Sequence, residues 1–177
     1  MSNVPRVIMV TGGARSGKSA LAESIAARHE GARFYIATAE ARDDEMTQRI
    51  GRHRAGRGPD WQTVEEPRDL ADALARTDGQ GPRLVDCLTL WLSNLMAGGD
   101  DPGPQVGALC ELLPAQRSPV VLVTNELGLG IVPDNALARR FRDEHGWMNQ
   151  AVARVADEVW MAVSGLPLRL KPQKGTS

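Results

Sequence analysis

One segment near the amino terminus combines glycines, a lysine and a serine at spacings that suit phosphate binding. Residues Gly12 to Ser19, GGARSGKS, fit the pattern G-x-x-x-x-G-K-[ST] between an apolar run and a run of good helix formers. Glycines let the backbone curl so that its amides point inward, and the amino terminus of a helix attracts anions. We therefore predict a phosphate-binding loop (P-loop), in which Lys18 contacts the β and γ phosphates of a nucleotide and the Ser19 hydroxyl binds Mg²⁺.

A nucleotide site of this kind needs a second group that faces the metal, and two acidic residues follow apolar, strand-like runs. Asp86 ends RLVD, and Glu126 follows VVLVTN. The carboxyl ends of parallel strands meet at one edge of a sheet, so both carboxylates are expected on the side of the P-loop. Asp86 is the natural candidate for the metal, although an aspartate at this position could equally cap the helix predicted directly after it. The same alternative applies to Glu126.

A basic segment, RIGRHRAGRGPDW, concentrates four arginines and one histidine between residues 49 and 61. On a helical wheel His53 and Arg57 fall on one stripe together with two apolar residues. A guanidinium makes forked hydrogen bonds with phosphate oxygens, and a neutral imidazole is a nucleophile toward phosphorus. Three interpretations stay open here: a solvated basic face with a packed histidine, a nucleic-acid patch, and a phosphate pocket in which His53 reacts.

The composition narrows the class of protein. The 177 residues carry 21 basic and 22 acidic side chains, a formal net charge of −1, which argues against a protein that coats nucleic acid. The length suits one domain over 1–177, with a disordered tail from about residue 172. The chain has no basic amino-terminal segment followed by a long apolar run, and no run approaches the ~20 apolar residues that span a bilayer. We expect a cytoplasmic protein without a membrane span.

The other histidines and the two cysteines suggest no chemistry of their own. His29 ends the first predicted helix and His145 lies in a helix rich in charge, so we predict that both are surface residues. Cys87 and Cys110 lie far apart in apolar stretches and form no CxxC pair. Both are predicted to be buried free thiols.

Strand-like and helical patterns alternate along the chain, which indicates a parallel sheet covered by helices. We expect the second strand, RFYIAT, to end beside the P-loop. The turn-rich GGDDPGP is predicted to be a surface loop, with a helix that begins near Gln105. A further long helix is predicted from about Ala136 to Asp157. The chain closes with EVWMAVSG and LPLRLK, two short strands that are predicted to pair antiparallel around a Gly-Leu-Pro turn.

These motifs together resemble a known family. The segments VTGGARSGKS, YIATAEARDDEM, RIGRHRAGR, DCLTLWLSNL, VTNELGLGIVP and ADEVWMAVSG are similar to those of the bifunctional adenosylcobinamide kinase and adenosylcobinamide-phosphate guanylyltransferase of cobalamin biosynthesis, from Val7 to about Lys171. The resemblance implies an α/β fold of the P-loop NTPase type, with a mostly parallel sheet, helices on both faces and an antiparallel carboxyl-terminal edge. It also implies assembly as a homo-oligomer, usually a trimer.

The resemblance implies two reactions on one substrate. Adenosylcobinamide would be phosphorylated by ATP or GTP, and GMP would then pass from GTP to the new phosphate with release of pyrophosphate. In the family the guanylyl group passes through a histidine, and His53 is the residue that matches. Two rival functions stay open: a small-molecule P-loop kinase in which His53 is structural, and an NTPase that binds nucleic acid through the arginines.

The motifs and the resemblance together give a set of expected site residues. Lys18 and His53 are expected to be catalytic and Ser19 and Asp86 to bind Mg²⁺, while Glu126 or Asp86 is a candidate proton acceptor or metal partner in the kinase step. The nucleotide contacts are expected in the P-loop, at the end of the second strand, in the basic segment and at two acidic residues: Gly12, Gly13, Ala14, Arg15, Ser16, Gly17, Lys18, Ser19, Ala37, Thr38, Ala39, Arg54, Ala55, Gly56, Arg57, Glu65 and Asp86.

Overall fold

Seven strands form one sheet in the computed structural model, which describes residues 5–40 and 58–172. The strands are β1 (Val7–Gly12), β2 (Arg33–Ala37), β3 (Trp61–Glu65), β4 (Arg83–Asp86), β5 (Val120–Val123), β6 (Glu158–Val163) and β7 (Leu166–Lys171). Their order across the sheet is β3-β2-β4-β5-β1-β6-β7, and every neighbouring pair is parallel except β6 and β7. The predicted fold class, with its antiparallel carboxyl-terminal edge, is confirmed. Residues 41–57, which include the helical stripe expected to carry His53 and Arg57, and the predicted tail beyond residue 172 lie outside the described residues.

Helices cover both faces of the sheet. They are α1 (Lys18–Ala26), α2 (Leu70–Thr77), α3 (Leu88–Ala97), α4 (Pro102–Leu112) and α5 (Ala136–Val155). Helix α1 packs on one face against alternate strand residues such as Ile8 and Val10, while α2 to α5 pack on the other face against Val7 and Met9. The strands are apolar on both sides because both sides are covered. Among the described residues, no helix is long and apolar enough to cross a membrane.

The strand order corrects one expectation about the site. Strand β2 was expected to end beside the P-loop, but β1 pairs with β5 and β6, and both β4 and β5 lie between β1 and β2. The expectation assumed that consecutive strands are neighbours, whereas the order of a parallel sheet is decided by its crossover connections. Asp86 at the end of β4 and the residues after β5 are therefore nearer to the P-loop than the end of β2 is.

The carboxyl-terminal hairpin is present, but its turn is not where it was predicted. Strands β6 and β7 are joined by Ser164 and Gly165, both with positive φ, at 52° and 79°. Two such residues make the primed turn that suits the twist of a two-stranded hairpin. The predicted Gly-Leu-Pro turn is wrong in register, because Leu166 and Pro167 already belong to β7. As an edge strand, β7 tolerates a proline.

Capping side chains explain where the helices begin. Helix α4 begins at Pro102 instead of near Gln105, because the Asp101 carboxylate accepts a hydrogen bond from Gly103 N (3.2 Å) and proline suits the first helical turn. The predicted surface loop is therefore shorter than GGDDPGP. Helix α5 begins at Ala136, as predicted, because Asn135 Oδ1 accepts from Ala138 N (2.8 Å).

Candidate active site

The P-loop lies between the end of β1 and the start of α1, as the motif predicted. Gly17 caps α1 with a left-handed backbone (φ 92°), and no side-chain hydrogen bond caps this helix among the described residues. The first amides of α1 therefore remain directed out of the helix, where they attract an anion. Lys18 Nζ donates to Gly13 O at 3.0 Å, so the ammonium group folds back over the loop. This geometry suits a loop that surrounds a phosphate chain.

The carboxyl-terminal hairpin packs closely against the P-loop. Gly165 N donates to Ser16 O at 2.9 Å. A Cβ on Gly17 would stand 3.2 Å from Gly165 Cα, and one on Gly12 would stand 2.7 Å from Ala162 O. These two P-loop glycines are therefore needed for close backbone approach as well as for their conformation. Strand β6 and the turn after it therefore pack directly against the P-loop.

Asp86 lies at the same edge of the sheet, and its carboxylate does not cap a helix. Asp86 Oδ2 accepts a hydrogen bond from the Tyr35 hydroxyl at 2.7 Å, while the cap residue of α3 is Cys87, whose side chain makes no capping bond. The capping alternative raised by the sequence is therefore wrong for Asp86. Ala37 is in register with both Glu65 and Asp86, so the ends of β3, β2 and β4 lie side by side.

Thr38, a predicted nucleotide contact, uses its polar groups inside the protein. Its hydroxyl accepts from Cys87 N and donates to Cys87 O, both at 2.8 Å. Its carbonyl accepts from Asn94 Nδ2 at 2.7 Å, and its amide donates to Asp86 O at 3.2 Å. The side chain is fully buried. In this structure Thr38 joins β2 to the start of α3 and thereby fixes the backbone that carries Asp86.

Glu126 lies close to the P-loop, along the edge where the sequence placed it. Its amide donates to Gly12 O at 3.1 Å, and its Oε1 accepts from Gly128 N at 2.9 Å. Because β5 is the strand between β1 and β4, Glu126 emerges between the P-loop and Asp86. The carboxyl edge thus brings together a phosphate-binding loop and two carboxylates.

Comparison with known proteins identifies the family. Residues 8–170 match the family described as "Cobinamide kinase / cobinamide phosphate guanyltransferase". The chain belongs to this family. It is 50% identical over 168 residues to "Bifunctional adenosylcobalamin biosynthesis protein CobP" of Pseudomonas aeruginosa, covering 92% of this chain and 96% of that protein. It is 43% identical over 182 residues to "Bifunctional adenosylcobalamin biosynthesis protein CobU" of Salmonella typhimurium, covering 93% and 99%.

Solved structures support the fold of this cobinamide kinase / guanyltransferase family member. One is a prototypical ATPase from the type III secretion system of pathogenic bacteria, at 15% identity and a TM-score of 0.58, covering 93% of this chain and 56% of that one. Another is a protein from Pyrococcus horikoshii OT3, at 8% identity and a TM-score of 0.54, covering 93% and 85%. At these identities the likeness concerns the fold alone. It agrees with a P-loop NTPase fold.

The metal that the family fold implies can be tested against the donors present. Ser19 and Asp86 offer a hydroxyl and a carboxylate, and oxygen atoms are the ligands that Mg²⁺ prefers. The described residues contain no group of three or more His, Cys, Asp or Glu side chains that could hold a metal ion. The pair of donors from Ser19 and Asp86 fits Mg²⁺, which characteristically takes one or two protein ligands together with substrate phosphates and water. A structural zinc site is not indicated among these residues.

Part of the predicted site of this family member lies outside the described residues. His53 and the segment Arg54, Ala55, Gly56 and Arg57 belong to residues 41–57. The P-loop after β1, Glu126 after β5 and Asp86 at the end of β4 lie on three neighbouring strands, whereas Ala37, Thr38, Ala39 and Glu65 lie at the ends of β2 and β3, farther along the same edge. The roles of these residues and the position of His53 remain predictions.

The sequence interpretation was wrong about His145, which is only 1% exposed. It lies on the inward stripe of α5 with Met148 and Val152, while the charged residues face away. Burial lowers the pKa of His145 to about 4, and the nearby Glu126 carboxylate opposes that shift. The sequence did contain a signal of this burial. Met148 follows His145 by three residues and Val152 follows it by seven, which places all three on one face of a helix. The high charge of the surrounding helix concealed it.

Two smaller expectations also need correction. His29 lies beyond the end of α1 and is half-buried, and burial, followed by the charge of Arg28, lowers its pKa. Cys87 is buried, as predicted, and burial, followed by the charge of Asp86, raises the pKa of its thiol to about 11. Cys110 is a free thiol but only partly buried. It lies on α4, which covers the sheet with one face and leaves much of the other exposed.

Proposed function

We propose that this protein phosphorylates adenosylcobinamide with ATP or GTP and then transfers GMP from GTP to adenosylcobinamide phosphate. The family membership and the printed names of the relatives support this activity. The observation that carries the proposal is the shared edge of the sheet, where the P-loop, Asp86 and Glu126 come together. It is the arrangement that phosphoryl transfer uses, because such chemistry depends on positioning and on stabilising phosphate charge.

In the kinase step, the substrate hydroxyl attacks the γ-phosphorus of the nucleotide in line with the departing diphosphate. The proton of that hydroxyl passes to Glu126 or Asp86. The P-loop amides and Lys18 hold the phosphates and stabilise the charge that develops on them. Ser19 and Asp86 would hold Mg²⁺, which neutralises phosphate charge when it is bound. The nucleotide contacts of the P-loop, Ala37, Thr38, Ala39 and Glu65 belong to the same proposal.

In the guanylyl step, neutral His53 forms a bond to the α-phosphorus of GTP, and the bond to pyrophosphate breaks. The cobinamide phosphate then attacks the phosphoramidate, and the imidazole leaves after taking up a proton. Arg54 and Arg57 would bind the phosphate oxygens, with Ala55 and Gly56 lining the nucleotide. This step rests on the family resemblance.

Assembly and location complete the proposal. We infer that the chain folds as one domain and works in the cytoplasm as a homo-oligomer, a trimer by resemblance, without binding nucleic acid. Several large apolar side chains support an interface between copies because they are exposed, including Leu129 (81%), Ile131 (97%) and Leu166 (71%). The balanced charge supports the absence of a nucleic-acid partner.

Labelling with GTP carrying phosphorus-32 at the α position tests the guanylyl step. Incubation with Mg²⁺ should leave a label on the protein that is stable in alkali and labile in acid, as expected of a phosphoramidate. His53→Ala should abolish the label, whereas His29→Ala, the matched control, should retain it. Label that persists in His53→Ala would refute the histidine mechanism. Kinase activity without any label would favour a kinase that lacks the second reaction.

A further inference from the structure

A cluster of buried polar side chains lies directly behind the active-site edge. It consists of Thr89 from α3, Thr124 and Asn125 after β5, and His145 and Asn149 from α5, and we call it the His145 cluster. Thr89, Thr124 and His145 are 8%, 0% and 1% exposed. Polar groups buried this deeply are costly unless they are paired. The proposed mechanism so far gives this cluster no role.

The hydrogen bonds of the cluster indicate which of its atoms donate and which accept. The Thr124 hydroxyl donates to Asn149 Oδ1 at 2.8 Å. Asn149 Nδ2 donates to Asn125 O at 3.0 Å and directs its second hydrogen toward His145 Nδ1 at 3.5 Å. From this network we assign the neutral tautomer in which Nδ1 accepts and Nε2 carries the proton. Nε2 lies 2.9 Å from Thr89 Oγ1 and 3.3 Å from Thr124 Oγ1.

The cluster holds one residue of the main chain from both sides. Asn125 N donates to Thr89 Oγ1 at 3.0 Å, and Asn125 O accepts from Asn149. The Asn125 carbonyl and the Glu126 amide belong to the same peptide group. That amide donates a hydrogen bond to Gly12 O at 3.1 Å. A single peptide plane therefore joins α5 to the first residue of the P-loop. A rotation of that plane would move both Gly12 and the start of the Glu126 side chain.

Packing alone does not require a histidine at this position. Met148 and Val152, on the same stripe of α5, fill the core with apolar side chains. The two ring nitrogens of His145 contact Thr89 and Asn149, the two side chains that hold Asn125, and an apolar side chain could form neither hydrogen bond. The ring of Phe141, with its centroid 6.0 Å from that of His145, packs against the imidazole. The side chain is thus held in one orientation.

We propose that His145 is a positioning residue for the transfer reactions, acting through Thr89 and Asn149 on the Asn125–Glu126 peptide and so on the P-loop. The proposal rests on the proposed function of the P-loop site. It predicts that loss of the imidazole misplaces the reacting groups without removing any group that binds the nucleotide. Small displacements of this kind reduce turnover much more than ground-state binding.

The experiment uses the full-length protein and the kinase reaction with cobinamide and ATP or GTP. His145→Phe preserves a ring but removes both nitrogens, and we expect kcat to fall about 10- to 100-fold while KM for the nucleotide changes less than about threefold. Thr89→Val should act in the same direction because it leaves Asn125 N unpaired. Thr89→Ser, which keeps the hydroxyl, should restore kcat to within about threefold of wild type. The double variant His145→Phe with Thr89→Val should show a smaller fold-decrease in kcat than the product of the two single decreases. Both substitutions interrupt the same chain of hydrogen bonds, so their effects are not independent.

Val152→Ala is the matched control, since it weakens the core on the same helix without touching the cluster. It should lower stability and leave kcat within about twofold of wild type. Hydrogen–deuterium exchange should be faster in His145→Phe over residues 12–19 and 124–128, and unchanged there in Val152→Ala. A wild-type kcat in His145→Phe, or an equal loss in Val152→Ala, would overturn the positioning role. An inactive wild-type protein would instead overturn the proposed function, and with it the role assigned to His145.

Discussion

The Tyr35 hydroxyl donates a hydrogen bond of 2.7 Å to Asp86 Oδ2 across two adjacent parallel strands. Tyr35 is 4% exposed, and its ring packs edge-to-face against Trp61 with centroids 6.3 Å apart. The phenol therefore has one fixed position, from which it orients the carboxylate proposed to hold Mg²⁺. Loss of a group that orients a metal ligand in this way typically lowers metal affinity or activity about 10- to 100-fold.

Tyr35→Phe should weaken the use of Mg²⁺ by the kinase. The phenyl ring keeps its contact with Trp61, but Asp86 loses the hydrogen bond that fixes its orientation. The Mg²⁺ concentration for half-maximal rate should rise about 10-fold, measured by titrating Mg²⁺ at saturating nucleotide. Urea unfolding should give a free energy within about 1 kcal/mol of wild type. An unchanged Mg²⁺ dependence would show that Tyr35 only fills space.

Much of the fold followed from the sequence because its signals are local. The P-loop motif, the apolar strand runs and the helical pattern that begins near Ala136 each act within a few neighbouring residues. The strand order depends on pairings between segments that are distant in the chain, and no local pattern encodes those. The burial of His145 had a local signal in its spacing from Met148 and Val152, but its polar partner Thr89 lies 56 residues away. The turn of the hairpin was misplaced for a related reason, because Pro167 was taken as a turn residue when it occupies an exposed edge strand.

Asp78→Asn should strongly destabilise the fold. Arg83 is fully buried and pairs with Asp78 at 3.1 Å and with Gln116. Burial of the Asp78 carboxyl works against its charge, but hydrogen bonds from Ser118 and Arg117, with the charge of Arg83, lower its pKa to about 2. An asparagine would leave the Arg83 charge buried and uncompensated, so urea unfolding should show a loss of about 3 kcal/mol.

The matched control for that change is Asp72→Asn. Asp72 also pairs with an arginine, Arg76 at 3.0 Å, but both side chains are about half exposed or more. Its loss should cost less than about 0.5 kcal/mol. Equal effects of the two substitutions would contradict a specific role for the buried pair.

The stability of the protein should depend on pH through His145. Burial lowers its pKa to about 4 in the folded state, whereas an unfolded histidine titrates at about 6.5. Between these values the unfolded chain binds a proton that the folded protein does not, so the free energy of unfolding falls as pH decreases. Above about pH 6.5 the histidine is neutral in both states and does not lower the free energy of unfolding. By about pH 4 its protonation in the unfolded chain should lower that free energy by on the order of 3 kcal/mol.

His145→Phe isolates this contribution, since both proteins share every other titrating group. Urea unfolding at pH 7.5, 5.5 and 4.5 should show a smaller decrease for the variant than for wild type. The difference between the two curves should develop mostly below pH 6.5. Parallel curves across that range would mean that His145 titrates alike in the folded and unfolded states.

Substitution of Gly17 tests whether the contact between the P-loop and the hairpin affects nucleotide binding. An alanine there would hold a left-handed φ of 92° and place its Cβ 3.2 Å from Gly165 Cα. Left-handed backbone costs an L residue about 1–2 kcal/mol, and the hairpin would have to move away from Ser16. Gly17→Ala should therefore raise the Kd for a non-hydrolysable GTP analogue with Mg²⁺ at least about 10-fold by calorimetry.

Gly107→Ala makes the same chemical change where the structure leaves room, because a Cβ there meets nothing within 4 Å and the residue lies inside α4. It should stabilise the protein by about 0.5–1 kcal/mol and leave the Kd unchanged, since alanine favours the helix. If Gly17→Ala bound the analogue as tightly as Gly107→Ala does, the close approach of Gly165 would not constrain the nucleotide site. Weak binding by Gly17→Ala alone would instead connect the carboxyl-terminal hairpin directly to the shape of the P-loop.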